Sequence, residues 1–378
     1  MNKLKNINFL HRYSTGLILF TPSLDRALLF CFLLFTLSQE PGIAQIGGNN
    51  TYGFLNLVTS ARVSALGGNA ISIKDGDLNL AWHNPSLLDS NMHNHLALNF
   101  VDYFSDINYG SVIYSKTYEK YGSFSAGAHY IHYGTFIEAD ETGRIIKEFT
   151  ADDYALIIGW GKNVVPKNYS GNSVFSIGAN LKMIFSMLEQ YTSFGAALDL
   201  SGTYHNAGRG LTVTTVVKNA GIQLKGYNKK NREPLPFEIQ LGISKKLKHA
   251  PFRLLVVAQH LEKWDMTYKY PNSSVPDIDP ITNEEIKEEK RTGDKLMRHF
   301  IIGGEFLITK NFHLRAGYNY QRRKELQVST RTALTGFSGG FSFKVYKFNI
   351  GYARASYHLV GGPNYFTITT NLSEFYTK

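Results

Sequence analysis

The chain has 378 residues and a single cysteine, Cys31, so neither a disulfide scaffold nor a cysteine-based zinc site can be built. Charged residues are scarce too, at 19%, against about a quarter in ordinary soluble domains. No apolar run reaches the roughly 20 residues that a helix needs to cross a bilayer, which excludes a bundle of membrane helices. Helix formers are thin after the first 90 residues, which excludes a coiled coil. Glycine numbers 34 but follows no triplet period, so a collagen-like repeat is excluded. What the chain has in plenty is aromatic residues, Tyr 23 and Phe 25 beside Trp 3, and a chain this apolar is not disordered. The composition points to one large all-β domain.

The formal net charge is +10. Part of it lies at the N-terminus, in Lys3, Lys5, Arg12 and Arg26 against Asp25 and Glu40. The remaining basic residues are spread through strand-like segments rather than gathered on a helix or arm, which argues against nucleic acid. Ala27 to Leu37 is an apolar run of signal-peptide length behind a positive flank, and Gly42-Ile43-Ala44 supplies small residues for cleavage. Residues 1–44 are therefore expected to be a cleaved export signal, with Gln45 opening the mature chain. Cys31 lies inside the apolar run after the bulky Phe30, a poor setting for a lipoprotein site.

Residues 45–93 are rich in Gly, Asn, Ser and Leu and lack sustained alternation. Ser60 to Leu66 is predicted as a short helix, ended by Gly67-Gly68. From residue 94 to 378 the chain alternates. Phe175, Ile177, Ala179, Leu181, Met183 and Phe185 interleave with Ser176, Gly178, Asn180, Lys182, Ile184 and Ser186; Phe337, Phe341 and Phe343 interleave with Ser338, Gly340 and Ser342. A period of two places one face in an apolar medium and the other in a polar one. Several of these segments exceed the five or six residues typical of soluble strands and suit a tilted membrane strand. Fourteen such segments are predicted, from 94–104 to 364–373, an even number as single-chain bacterial barrels require. Aromatics such as Tyr318, Tyr320, Tyr365 and Phe366 are expected to form interfacial girdles. The fold class expected is an all-β transmembrane antiparallel barrel of about 14 strands, preceded by a small plug in 45–93.

Connection lengths support this independently. Links after even-numbered strands are mostly tight, as at Tyr118–Tyr121 and His205–Arg209. Links after odd-numbered strands include the long ones at 134–152, 221–235, 264–296 and 323–334. Short turns at one end and long loops at the other match periplasmic turns and extracellular loops.

Motifs with chemical meaning resolve into structural ones. Gly336-Phe337-Ser338-Gly339-Gly340 fits the G-x-S-x-G pattern, but Ser338 lies within a clean alternating strand rather than at a strand-to-helix elbow. His93 and His95 could share a strand face but have no third metal ligand at suitable spacing. Asp75-Gly76-Asp77 lacks the rest of a calcium loop and reads as a turn. Gly47-Gly48 with Gly53 opens no strand–helix unit that could cradle phosphate. No catalytic residue, cofactor or metal is expected. Lys182, Asp199, Glu305 and Arg315 point inward, where they can either line a pore or pair across a filled lumen. The charged run Thr282 to Arg291 begins with a capping box and reads as a solvated helical turn or a docking element. Two basic clusters, Lys225, Lys229, Lys230 and Arg232, and Arg322, Arg323, Lys324 and Arg331, are candidates for an outward surface facing lipopolysaccharide or a protein partner. Trp82, Asn84 and Pro85 are candidates for the plug–barrel junction, because Pro85 has no amide proton and holds Asn84 extended.

The stretch Thr51-Tyr52-Gly53-Phe54-Leu55-Asn56-Leu57-Val58-Thr59-Ser60-Ala61-Arg62-Val63-Ser64-Ala65-Leu66-Gly67-Gly68, followed by Leu78-Asn79-Leu80-Ala81-Trp82-His83-Asn84-Pro85-Ser86, resembles the start of the PorQ family of the Bacteroidetes type IX secretion system. The Asn-Pro-Ser after an aromatic is also similar to the Asn-Pro-Ala signature of the wider FadL group, fourteen-stranded barrels that begin with a lumen plug. The resemblance implies an outer-membrane subunit of the cell-surface attachment complex, holding a PorZ-like surface protein beside a PorU-like sortase and a PorV-like barrel. The competing expectation is a FadL-like transporter of hydrophobic molecules. The inward-facing Ser, Gly, Asn, Lys and Asp favour the scaffold.

Overall fold

The computed structural model describes residues 50–164, 171–228, 232–267, 292–326, 334–357 and 361–376. The expected signal at 1–44 lies outside them, as do the run Thr282 to Arg291, Lys229, Lys230 and Arg331.

Fourteen strands follow one another: β1 His95–Asp102, β2 Asn108–Tyr118, β3 Gly122–Ala139, β4 Ile145–Val164, β5 Ser173–Leu188, β6 Tyr191–Asn206, β7 Leu211–Lys225, β8 Glu238–Lys246, β9 Phe252–Ala258, β10 Phe300–Phe306, β11 Phe312–Asn319, β12 Phe337–Val345, β13 Phe348–Ala355 and β14 Asn364–Asn371. Each pairs antiparallel with its sequence neighbours, and β1 closes on β14 from His95↔Asn371 to Asp102↔Asn364. The result is a closed antiparallel barrel, the architecture of outer-membrane barrels. Its two faces divide as the alternation requires. On β5, Phe175, Ile177, Leu181, Phe185 and Met187 are exposed on the outside, whereas Ser176, Asn180, Lys182, Ile184 and Ser186 are buried toward the lumen.

The wall is uneven in height. Strands β3 to β7 run from 15 to 20 residues, whereas β9 and β10 have seven. The tall side replaces much of the loop expected at 134–152. β3 continues to Ala139 and β4 begins at Ile145, after a register shift between His132 and Thr135. The expectation failed there because beyond the shift the residues no longer separate two media, so the apolar alternation fades. Tyr365 is another difference: it is buried toward the lumen, while its neighbour Phe366 is exposed, so only the second belongs to an outer girdle. The expected loop at 323–334 opens as a helix, Tyr320–Leu326.

The segment 50–94 lies against the inward faces of the strands. It holds short helices at Ala61–Ala65 and Leu78–His83 and 3-10 turns at Gly53–Asn56, Pro85–Leu87 and Ser90–Met92. Side-chain caps set these elements in place. Asp77, Asn84 and Asp89 each accept the backbone N–H two residues on, satisfying a donor left free at the helix start. Gly67 and Gly68, both at φ 98, end the first helix in a conformation that side-chain-bearing residues rarely adopt. The buried hydrophobics of this segment, among them Val63, Leu66, Ile71, Leu78, Leu80 and Leu87, form one cluster with inward residues such as Ala97, Ile113, Ile184 and Leu255 of the wall.

Candidate functional site

The interior is held by charge as well as by packing. Arg62, in the helix Ala61–Ala65, reaches five oxygens on three residues. Its Nε and Nη2 donate to the two carboxylate oxygens of Glu305 at 2.8 and 2.9 Å. Its Nη1 and Nη2 donate to Asp75 at 3.0 and 2.7 Å, and Nη1 also donates to Asp77 at 3.0 Å. The wall adds Arg253 of β9, which bridges Asp75 (2.7 Å) and Glu305 (2.6 Å), and Arg315 of β11, at 2.7 Å from Glu305. Three guanidiniums thus meet three carboxylates, with Glu305 only 1% exposed. Such an arrangement offsets the cost of removing ions from water, because geometry and hydrogen bonds are shared through the network. Burial disfavours charge on Arg62, but Asp75, Glu305 and Asp77 outweigh it and hold its pKa well above the usual value. Burial likewise opposes ionisation of Asp75, yet Arg62 and Arg253 keep its carboxyl well below the ordinary range.

A second cluster lies between β5, β6 and β7. Lys182 donates to Asp199 at 2.7 Å and to the side-chain Oδ1 of Asn219 at 2.7 Å, while the Asn219 backbone N–H donates to Asp199. Asn219 stands at φ 56 and donates through Nδ2 to Asn56 of the inner segment. The inward charges Lys182, Asp199, Glu305 and Arg315 therefore pair within a filled interior.

Neutral bonds tie the rest of the inner segment to the wall. Ala61 donates to Thr367, and Gly67 donates to Ser338 at 3.1 Å, which in turn donates to the Ala65 carbonyl. The Ser338 hydroxyl is engaged by the inner segment from within a strand, so it has no nucleophile elbow around it. Asn84 donates to the Ile71 carbonyl, and Ser86 bonds Ser201 and Thr203 of β6. Close backbone approach makes glycine necessary at several wall positions. A Cβ on Gly178 would sit 2.3 Å from the Pro85 carbonyl carbon, and one on Gly317 would sit 2.1 Å from the Gly67 nitrogen.

Trp82, Asn84 and Pro85 lie against this wall, with the Trp82 carbonyl accepting from Asn180. The chain enters β1 further on, at Asn94, whose φ is 57 and whose carbonyl accepts from Leu372 beside the C-terminal strand. Among the basic candidates, Lys225 and Arg232 are exposed in the β7–β8 connection and its flank. Arg322 stacks over Tyr357 at 4.3 Å and donates to the Gly67 carbonyl at 3.4 Å, so it also holds the inner segment. Arg323 is half-buried, and Lys324 pairs with Asp294 at 3.4 Å. These two groups belong to separate connections, with β8, β9, β10 and β11 between them around the barrel. Tyr103, Phe104, Tyr109 and Tyr357 form an aromatic cluster near Arg322, with ring centroids 4.8 to 6.1 Å apart. His95 Nδ1 has no hydrogen-bond partner among the described residues, and no group of three potential metal ligands was found among them.

Sequence reasoning missed Arg62 and Arg253. Arg62 stands in the stretch 51–68 with nothing local to show its partner, Arg253 stands in no motif, and the available signal was that the inward charges Glu305 and Arg315 call for a polar interior.

The chain matches no protein-family model and no curated protein. Among solved structures it is similar to the Ralstonia pickettii toluene transporter TbuX, at 11% identity over 84% of this chain and 99% of that one, TM-score 0.49. It is also similar to the Pseudomonas putida toluene transporter TodX, at 13% identity over 83% and 96%, TM-score 0.45. A Pseudomonas aeruginosa FadL homologue follows at 11% identity over 83% and 98%, TM-score 0.44.

Proposed function

We propose that this protein is an outer-membrane barrel closed by its own N-terminal segment, which acts as a plug, and that its work is to anchor a surface protein through its outward connections. The observation that carries this reading is the buried network joining Arg62, Asp75 and Asp77 to Arg253, Glu305 and Arg315. It fastens the segment to the wall with paired charges rather than leaving an apolar passage. The finer assignment, a PorQ-like subunit holding a PorZ-like protein near a PorU-like sortase and a PorV-like barrel, is supported by the resemblance in residues 51–86. The exposed Lys225 and Arg232 suit contact with lipopolysaccharide phosphates.

A second reading, a transporter of hydrophobic solutes, is favoured by the aromatic cluster of Tyr103, Phe104, Tyr109 and Tyr357. Shortening 264–296 distinguishes the two. An anchor should still assemble as a heat-resistant barrel in detergent yet release a surface protein into the medium. Retained partners together with lost uptake of a small aromatic hydrocarbon would overturn the anchor in favour of the transporter.

A further inference from the structure

The tall side of the barrel ends in a free-standing ribbon. β2 pairs with β3 only as far as Asn108↔His132, and β4 pairs with β5 only from Ala151↔Leu188. Beyond those points β3 and β4 pair as strands only with each other, at Thr135↔Thr150, Phe136↔Phe149, Ile137↔Glu148 and Glu138↔Lys147, while Glu189 N–H donates to the Thr150 carbonyl from the β4 side. The tip is ordered by Asp140, whose side chain accepts the N–H groups of Thr142 and Arg144 at 2.9 Å each. Phe136 and Phe149 stack at 5.3 Å on one face, and Lys147 pairs with Glu138 and Glu189. On the other, Ile137 and Ile146 are 58% and 59% exposed.

Three properties of this ribbon point to one kind of occupant. First, from Thr135 to Ala139 the β3 edge has no neighbouring strand, so it presents unpaired backbone groups that a further strand can take. Second, its apolar residues stand above the polar group of Tyr130, His132 and Asp152 (2.8 Å contacts), which marks the upper end of the outer apolar belt on this side. Ile137 and Ile146 therefore face water. Third, residues 136–148 carry Glu138, Asp140, Glu141 and Glu148 against Arg144 and Lys147, an acidic balance on a chain of net charge +10. We propose that the edge Thr135–Ala139 is a docking strand that adds one extended, basic segment of an extracellular protein partner to the β3–β4 ribbon. Main-chain bonds would supply affinity, Ile137 the apolar contact, and the carboxylates the choice of a Lys- or Arg-bearing strand.

The inference rests on the anchor reading and adds the chemistry of the partner. The full-length protein in nanodiscs, titrated with a fluorescein-labelled decapeptide of alternating valine and lysine, tests it by anisotropy. Saturable binding is expected, at least tenfold weaker for the matching valine–glutamate peptide. It should vanish when residues 136–148 are replaced by Asn-Gly, a change that leaves every barrel pairing intact. The double variant Glu141→Lys, Glu148→Lys spares the Glu138–Lys147 pair and the Asp140 turn, keeps the ribbon and should exchange the two peptides' preferences, which shows that a folded edge is being read. Undiminished binding without the ribbon, equal binding of both peptides, or quenching of an Ile146→Trp variant by brominated lipid would each overturn the proposal. On cells, a surface protein retained without the ribbon but lost on shortening 264–296 would remove the docking strand and leave the anchor reading standing. Retention after both changes would remove the anchor reading itself.

Discussion

Arg62 of the inner segment and Glu305 of β10 face each other in a two-point contact, Nε to Oε1 and Nη2 to Oε2, although 243 residues separate them. Both side chains are almost wholly out of water, at 10% and 1% exposure, so neither can be left alone without a large penalty.

Glu305→Gln is expected to loosen the inner segment from the wall by about 3 kcal/mol or more, because three guanidiniums would then share two carboxylates. Hydrogen exchange across 50–94 should rise, and single-channel recordings should show openings absent from the native protein. The strand pairings do not depend on this contact, so the heat-resistant electrophoretic form should persist. Unchanged exchange would show that the network does not hold the segment.

Glycine at the wall makes a steric prediction. Gly178→Ala and Gly317→Ala each place a methyl group against backbone of the inner segment, which cannot yield as a flexible side chain can. Each should destabilise seating of the segment by about 1–3 kcal/mol, read as faster proteolysis within 50–94. Gly202→Ala, where a Cβ meets nothing within 4 Å, should leave proteolysis unchanged.

Neighbouring residues on β12 should fail in different ways. Phe341 is exposed on the outer wall, and its replacement by Arg should weaken insertion into lipid by about 2–4 kcal/mol near the midplane. Ser342 is buried and accepts from Arg315 at 2.9 Å. Ser342→Arg should assemble but displace Arg315 and open the interior, giving conductance rather than an insertion defect. Equal insertion defects would contradict the assigned facing.

His83 gives the interior a dependence on acid. Burial first, and then nearby Lys218 and Lys182, hold its imidazole well below the usual histidine value of 6.5. The unseated segment therefore takes up a proton that the seated one refuses, and stability falls as pH drops below about 6.5. Exchange in 50–94 should increase from pH 7 to pH 5, and His83→Gln should flatten that part of the profile.

The strands were legible because two media act on alternate residues of one chain, as in Phe175 to Ser186. The ribbon at 135–150 was not, since both of its faces meet water and the pattern that marks a membrane strand has no cause there. The inner segment was visible only as missing alternation together with the resemblance at 51–86. Its fastening was hidden, because Arg62, Gly67 and Ser86 find their partners at Glu305, Ser338 and Thr203, and no local spacing encodes such distances. Inward charges on β10 and β11 announced that partners exist without saying which. The two basic clusters were legible as charge, but Arg322 spends part of its guanidinium on Gly67 and Tyr357.

The seam between β1 and β14 carries a consequence for biogenesis. The chain leaves the interior at Asn94, directly into the strand that closes the seam, and Asn94 itself meets Leu372 and Ser373. The last strand to emerge during synthesis is thus the one that zips against the first. Ala61 bonds Thr367 on that final strand, so the contents of the interior touch the seam itself. Emptying the finished barrel intact would require unzipping this seam or drawing the segment out past its charges.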